Sequence, residues 1–171
     1  MPNSAPCIRD LVASDIAACA RLVSATPLWR RYGYTAARCT ADLRAALKRA
    51  DRIKIAEVGP RVVGLAWVMP KGAFGRAPYL KLLAVDSLSR GGGIGVALLR
   101  AGEAGGALCL LVSDFNVAAR RFYRREGYRQ VGALPAFVLP GVTEILMYRV
   151  PAVAAVSCRG PSRRAAKSPT R

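Results

Sequence analysis

The sequence predicts a single α/β domain built on a mixed sheet. Three observations carry that reading. Segments rich in β-branched and apolar residues alternate with segments whose apolar residues recur at helical spacing. Two extended runs meet at Gly59-Pro60, a connection so short that the pair must be antiparallel, whereas a later strand–helix–strand unit allows a parallel pair. The chain has 171 residues, of which 53% are hydrophobic, enough for one domain with a full core.

After a loose leader (1–7), residues 8–11 read as a short strand. From Ser14, the positions Ile16, Cys19, Ala20 and Val23 follow helical spacing, with Ser14 or Asp15 as cap, until Thr26-Pro27 breaks the helix. A second helix is expected from Thr40, with Leu43, Leu47 and Ala50 on one face. The runs 53–58 and 62–69 form the hairpin. A loop is expected from Pro70 to Pro78, where two glycines and two prolines fall, followed by a buried strand at 79–85. A glycine cluster then opens a helix near Ile94 that ends at Ala104-Gly105-Gly106, and 108–112 is another buried strand. Asn116 begins a helix whose buried face is Ala118, Ala119 and Phe122 and which stops at Gly127. The last extended runs are 130–133, 137–139 and 144–150. The element order is thus β-α-α-β-β-β-α-β-α-β-β. Beyond 150 the chain turns rich in Pro, Ala, Ser and Arg, which predicts a domain over 1–150 and a basic, disordered tail over 151–171.

Composition narrows the chemistry. The chain has no histidine, which excludes Ser-His and Cys-His nucleophilic catalysis and removes the usual neutral-pH base. Its five cysteines are irregularly spaced, so no metal site is expected. The cysteine usage and the absence of a signal-like N-terminus point to a reducing, cytoplasmic setting. No run of about 18 uncharged apolar residues exists, so no membrane partner is expected. The net charge is +17, and five basic residues lie after residue 150. Such a field attracts a phosphate-bearing cofactor or nucleic acid, or serves only solubility. No nucleic-acid motif is present and no aromatic residues interleave with the basic run, so a nucleic-acid partner is disfavoured.

The segment from Leu82 to Leu99 places a buried strand before Arg90-Gly91-Gly92-Gly93-Ile94-Gly95-Val96 and a helix after it. Glycines there allow positive φ and let several N–H groups converge on one ligand. The first helical turn adds free donors and the positive end of the dipole. Together they suit a pyrophosphate, with Arg90 adding a formal charge; a turn that merely lets strand and helix pack closely is the plainer alternative. The G-x-x-x-x-G-K-[ST] and G-x-G-x-x-G nucleotide motifs do not match.

Arg90, Gly93 and Gly95 match the [RQ]-x-x-G-x-[GA] signature of the GNAT acetyltransferase superfamily. Residues 116–128 match that superfamily's N-x-x-A-x-x-F-Y-x-x-x-G-[FY] helix at Asn116, Ala119, Phe122, Tyr123, Gly127 and Tyr128. Over roughly 8–150 the chain resembles a GNAT domain. The resemblance implies a mostly antiparallel sheet flanked by helices, with a parallel pair splayed at an acyl-CoA site. It implies acetyl-CoA as co-substrate, with the backbone of Leu83, Ala84 and Val85 along the pantetheine. The N–H groups from Gly91 to Val96 would hold the pyrophosphate, and Asn116 and Phe122 would lie beside the cofactor. The implied reaction is direct attack of a neutral amine on the thioester. Tyr123 would protonate the departing thiolate, a role open to a phenol that stays protonated at neutral pH. A packed core tyrosine and an N-capping asparagine are the structural alternatives for Tyr123 and Asn116.

Two departures follow. Leu111 stands where many relatives that act on peptide N-termini carry a glutamate base, so the base is unassigned: Asp114 or Glu57 acts through water, or the amine arrives already deprotonated. The stretch from Gly95 to Asn116 is also short for the family. Trp29, Tyr32 and Tyr34 either line the acceptor site or pack beneath the sheet. The reading reached is an N-acetyltransferase acting on a primary amine of a small molecule or protein. The alternatives are a catalytically silent acyl-CoA-binding module and a basic nucleic-acid-binding protein. Homodimer formation is left open.

Overall fold

Seven strands form one sheet in the order β1-β2-β3-β4-β5-β7-β6, described by a computed structural model over residues 5–103 and 106–149. Strands β1 (Cys7–Asp10), β2 (Arg52–Val58), β3 (Arg61–Ala73) and β4 (Ala77–Val85) pair antiparallel in succession. Strand β5 (Leu108–Ser113) runs parallel to β4, and β7 (Thr143–Arg149) inserts between β5 and β6 (Arg129–Pro135), antiparallel to both. The expected mixed, mostly antiparallel α/β domain with one parallel pair is what the chain forms.

Both faces of the sheet are covered, so its central strands read as near-continuous apolar runs. Helices α1 (Ile16–Ala25) and α3 (Ala36–Lys48) bury Val23, Cys39 and Leu43 against Ile55, Leu65 and Trp67. On the other face α4 (Ile94–Glu103) and α5 (Val117–Arg125) pack Leu98, Leu99 and Tyr123 against Ala66, Val68, Leu110 and Met147.

Several boundaries differ from the sequence reading. Asp15 does not cap α1 through its side chain; its carboxylate instead accepts the Val12 N–H at 2.8 Å and the Arg9 guanidinium. Thr26-Pro27 ends α1 but opens a new short helix, α2 (Pro27–Arg31), because proline at the first helical position loses no needed donor. Helix α3 begins at Ala36, four residues before Thr40, since the Thr35 hydroxyl caps it from Arg38 N at 3.2 Å. Its buried stripe is Cys39, Leu43 and Ala46. Leu47 is 37% exposed, and Ala50 lies past the end at φ 56°.

The expected loop from Pro70 to Pro78 shrinks to a tight turn at Phe74 and Gly75, both at positive φ, with strand on each side. The ladder is irregular between Met69 and Ala73, where Pro70 has no N–H to give. Residues 137–139 are not a strand but part of the β6–β7 turn, with Phe137 and Val138 exposed. On α5 the buried residue is Tyr123; Ala118 is exposed and Phe122 only partly covered. The expected tail at 151–171 and the Ala104-Gly105 helix end lie outside the described residues, and α4 is last described at Glu103.

Candidate active site

The functional geometry starts with one bulge. Leu80 pairs with Val68 and Leu82 with Trp67, and the register shifts between them. Leu80 and Leu82 are two residues apart yet belong to opposite faces of the sheet, as an inserted residue at Lys81 requires. A bulge bends its strand, and here β4 leaves β5: the parallel pairing is confined to Tyr79 with Cys109 and Leu80 with Leu110. Beyond that point the two strands diverge. Asp86 N donates to Val63 O on β3 at 2.9 Å. By alternation, the N–H and C=O groups of Leu83 and Val85 face the opened gap. The only donor seen on Val85 O among the described residues is Arg90 Nε, at 3.3 Å.

At the mouth of the gap sits the glycine turn, with Gly91 at φ 87° and Gly93 at φ 77°. Only glycine adopts such angles without strain, and a Cβ at Gly91, Gly92 or Gly93 would meet nothing within 4 Å. The turn therefore has room for a bulky ligand against its backbone. Gap, turn and the start of α4 bound a cavity of about 650 Å³. Leu83, Ala84, Val85, Arg90, Gly91, Gly93, Ile94, Gly95, Val96, Asn116, Phe122 and Tyr123 all line it. Gly92, expected with them, belongs to the same turn but does not line the cavity. Arg90 and Arg125 supply positive charge there. At Gly95 α4 faces α5, and a Cβ there would stand 3.6 Å from the Phe122 ring, an ordinary contact.

A second cavity of about 180 Å³ adjoins the first. Leu28, Trp29, Leu83, Asn116, Ala119 and Tyr123 line both, so Tyr123 stands at their junction. The splayed strands open the sheet here, and residues of both faces meet. Tyr123 is 8% exposed, packed edge-on to Phe122 and Tyr128, with ring centroids at 5.1 and 5.6 Å. Its hydroxyl has no hydrogen-bond partner among the described residues, and burial, with a lesser contribution from Tyr79, pushes the phenol well above its ordinary range. Asn116 caps α5 by accepting Ala119 N at 3.2 Å while still facing both cavities.

The aromatic trio divides. Trp29 and Tyr32 line the smaller cavity, whereas Tyr34 packs under the sheet and donates to Asp42 at 2.7 Å. Both candidate bases are occupied elsewhere. Glu57 is ion-paired with Arg9 (Nε–Oε2 2.9 Å), and Asp114 accepts the Phe115 N–H at 2.7 Å and lines neither cavity. Three residues that sequence reasoning missed stand in the smaller cavity instead: Tyr79, Ser113 and Glu144. Glu144 is 4% exposed and lies opposite Ser113 in the β5–β7 register. The Tyr32 hydroxyl donates to Glu144 and lies 2.5 Å from the Ser113 hydroxyl. Tyr79 is pushed up to about 12 by burial first and by Glu144 second. Only the strand pairing, invisible in a linear motif, brings Glu144 to this place.

Comparison with known proteins agrees with this geometry. Residues 49–130 match the family model for the acetyltransferase (GNAT) domain. An uncharacterized N-acetyltransferase of Methanocaldococcus jannaschii is 37% identical over 102 residues, which cover 56% of this chain and 64% of that protein's length. A GNAT-family structure from Desulfovibrio desulfuricans superposes with a TM-score of 0.70 at 24% identity, covering 86% of this chain and all of its own. A Salmonella typhimurium structure holding its cofactor acetyl-CoA gives a TM-score of 0.67 at 17% identity, covering 89% and 97%. Over residues 49–130 the chain is thus similar in sequence to GNAT acetyltransferases, and its fold is that of GNAT-family structures.

Proposed function

We propose that this protein is an N-acetyltransferase that moves an acetyl group from acetyl-CoA to a primary amine of a small molecule or protein. The observation that carries the proposal is the continuity of the two cavities through the β4–β5 gap, with Tyr123 at the junction. The residues present fit the co-substrate. The backbone groups of Leu83 and Val85 that face the gap suit a pantetheine arm that pairs like a strand, in place of the long Arg90 contact to Val85 O. The open N–H groups of the Gly91–Val96 turn, beside Arg90, suit a pyrophosphate. The Salmonella protein of the same fold, solved with acetyl-CoA, supports this choice of ligand.

Acetyl-CoA supplies an activated thioester, so the protein's tasks are positioning and proton movement. Leu28, Trp29 and Ala119 give the junction of the two cavities apolar walls. Tyr123 holds a proton at neutral pH and offers it where a thiolate would form. The burial that raises its phenol also raises a thiol at the same place, so donor and acceptor stay matched. Asn116 keeps its amide NH₂ for a ligand while its oxygen caps α5. Free thiols at Cys7, Cys19, Cys39 and Cys109 suit a reducing compartment such as the cytoplasm. The activity is assigned to a domain over residues 1–150.

The test is a calorimetric CoA titration together with thiol release from acetyl-CoA across a panel of amines and peptide N-termini. Saturable CoA binding with amine-dependent thiol release is expected. A folded protein that binds no CoA at millimolar concentration would overturn the assignment.

A further inference from the structure

Glu144 is the only acidic side chain lining either cavity among the described residues. It is buried, and a buried carboxylate without a cation is costly. Yet in a chain with 27 basic residues, none of those described pairs with it. Two basic residues by this cavity are engaged elsewhere. Lys81 lines the same cavity, but its ammonium lies 3.9 Å above the Trp67 ring and 3.6 Å from Asp42. Arg31, one residue before Tyr32, lies over the Phe115 ring at 4.0 Å. Glu144 is held by hydroxyls alone: Tyr32 donates to Oε1, and Ser113 can donate in turn to Tyr32. Its second oxygen, Oε2, has no partner among the described residues.

A carboxylate so placed is complementary to a cation that arrives from outside. The cavity around it has aromatic walls at Trp29, Tyr32 and Tyr79, whose ring faces also favour a cation. Tyr123 lies across the same small space, close to the larger cavity. Tyr32, Glu144 and Ser113 come from α2's end, β7 and β5, and of these Tyr32 and Glu144 lie outside the family-matched region 49–130.

Building on the acetyltransferase reading, we infer that Glu144 docks the acceptor's primary ammonium and takes one proton from it, with Tyr32 and Ser113 fixing the carboxylate. R–NH₃⁺ gives a proton to the Glu144 carboxylate and becomes R–NH₂. The nitrogen lone pair forms the C–N bond as the thioester C–S bond breaks. Sulfur receives a proton from Tyr123, the phenol is restored by the second proton lost from nitrogen, and Glu144 returns the first proton to solvent. The net change is ammonium plus acetyl thioester to amide, thiol and one proton.

The experiment uses the full chain with benzylamine as probe at saturating acetyl-CoA, following thiol release from pH 6 to pH 9.5. Glu144→Gln preserves shape and the Tyr32 contact, and circular dichroism and a CoA titration verify fold and cofactor binding. At pH 7 the variant is expected to lose on the order of 10²-fold or more in kcat/KM for the amine, as removal of a general base does. CoA affinity should be unchanged. The deficit should shrink about tenfold per pH unit as the free amine becomes available. Tyr32→Phe should show the same trend with a smaller loss, since it leaves the carboxylate in place. Tyr32, Tyr79, Tyr123 and Lys81 are the other titratable groups lining this cavity, with Arg31 next to Tyr32 in the chain, and all keep their places in the Glu144→Gln variant. A deficit independent of pH, or none, would overturn the inference and leave the acetyltransferase reading intact. So would a wild type that binds CoA but turns over no benzylamine. A wild type that binds no CoA would overturn both.

Discussion

Glu103 and Glu144 are both almost fully buried, and each accepts a hydrogen bond from a tyrosine hydroxyl, but their remaining surroundings differ. Glu103, at the end of α4, also holds the guanidinium of Arg149 and lies within reach of Arg100. Its charge is paired and both oxygens are used. That matters because a negative charge at a helix C-terminus is unfavourable without a cation. Glu144 meets hydroxyls only, keeps one oxygen free, and faces a cavity. On the inference drawn above, this is what separates a structural carboxylate from one poised for chemistry. Burial is common to both, and the presence or absence of an internal counter-charge distinguishes them.

The largest effect expected on the open side, beyond that of Glu144 itself, is at Tyr123. Tyr123→Phe keeps the ring stacked between Phe122 and Tyr128 and removes only the proton at the cavity junction. Loss of an acid catalyst should lower kcat by about 10²–10⁴-fold. CoA affinity should change by no more than about 1–2 kcal/mol, the worth of one hydroxyl. Steady-state kinetics and CoA titration on one preparation decide it. A folded variant with most of its kcat would move Tyr123 to the structural class alongside Glu103.

On the closed side, Glu103→Gln keeps an acceptor for Tyr128 but leaves Arg149 uncompensated. Breaking a buried pair from one side should cost about 3 kcal/mol, the lower end of such losses because Arg149 retains some exposure. Urea unfolding measures it, and kcat per folded molecule should hold. If instead activity falls with stability unchanged, the division between the two carboxylates fails.

The two sides were not equally legible in the sequence. The lining of the larger cavity was largely legible because, apart from Leu83, Ala84 and Val85, the residues expected there sit in two continuous segments, 90–96 and 116–128, where glycine geometry and a capped helix have local signatures. The smaller cavity was legible only at Trp29 and Tyr32, because Ser113 and Glu144 are far from them in sequence and meet them only through strand register and the bulge at Lys81. The histidine-free composition did indicate that any base would be a carboxylate or the amine itself. It could not say which carboxylate, and Glu57 and Asp114 proved to be spent on an ion pair and a turn. Element boundaries failed for local reasons of the same kind. Thr35 capped α3 early, Pro27 opened a helix as readily as it closed one, and the paired prolines at 70 and 78 were absorbed by an irregular ladder.

A smaller effect is expected at Gly93, where backbone conformation rather than charge prepares the site. Its φ of 77° makes any side chain strained, although space is free. Gly93→Ala should cost about 1–2 kcal/mol in stability, as left-handed residues do. Any tilt of the turn's N–H groups should weaken CoA binding at the same time. Calorimetry beside thermal unfolding separates the two, and unchanged CoA affinity in the destabilised variant would remove the turn from the pyrophosphate site.

Asn116 tests whether one residue can belong to both classes, and its effect should be the smallest. Its oxygen is satisfied by Ala119 N, as a structural group's would be, while its NH₂ faces the cavities, as a functional group's would. Asn116→Ser separates the roles, because serine caps a helix about as well as asparagine but carries no amide to reach a ligand. Stability should therefore stay within about 0.5 kcal/mol of the wild type, whereas Asn116→Ala should lose about 1 kcal/mol through the cap. CoA affinity should fall in both variants alike, by the roughly 1 kcal/mol that one hydrogen bond contributes. Five-fold weaker CoA binding in the serine variant, with unfolding unchanged, is the outcome that assigns the amide to the ligand and the oxygen to the helix. If serine restores both, the side chain serves only the cap, and the pantetheine contact must come from the strand edges at Leu83 and Val85.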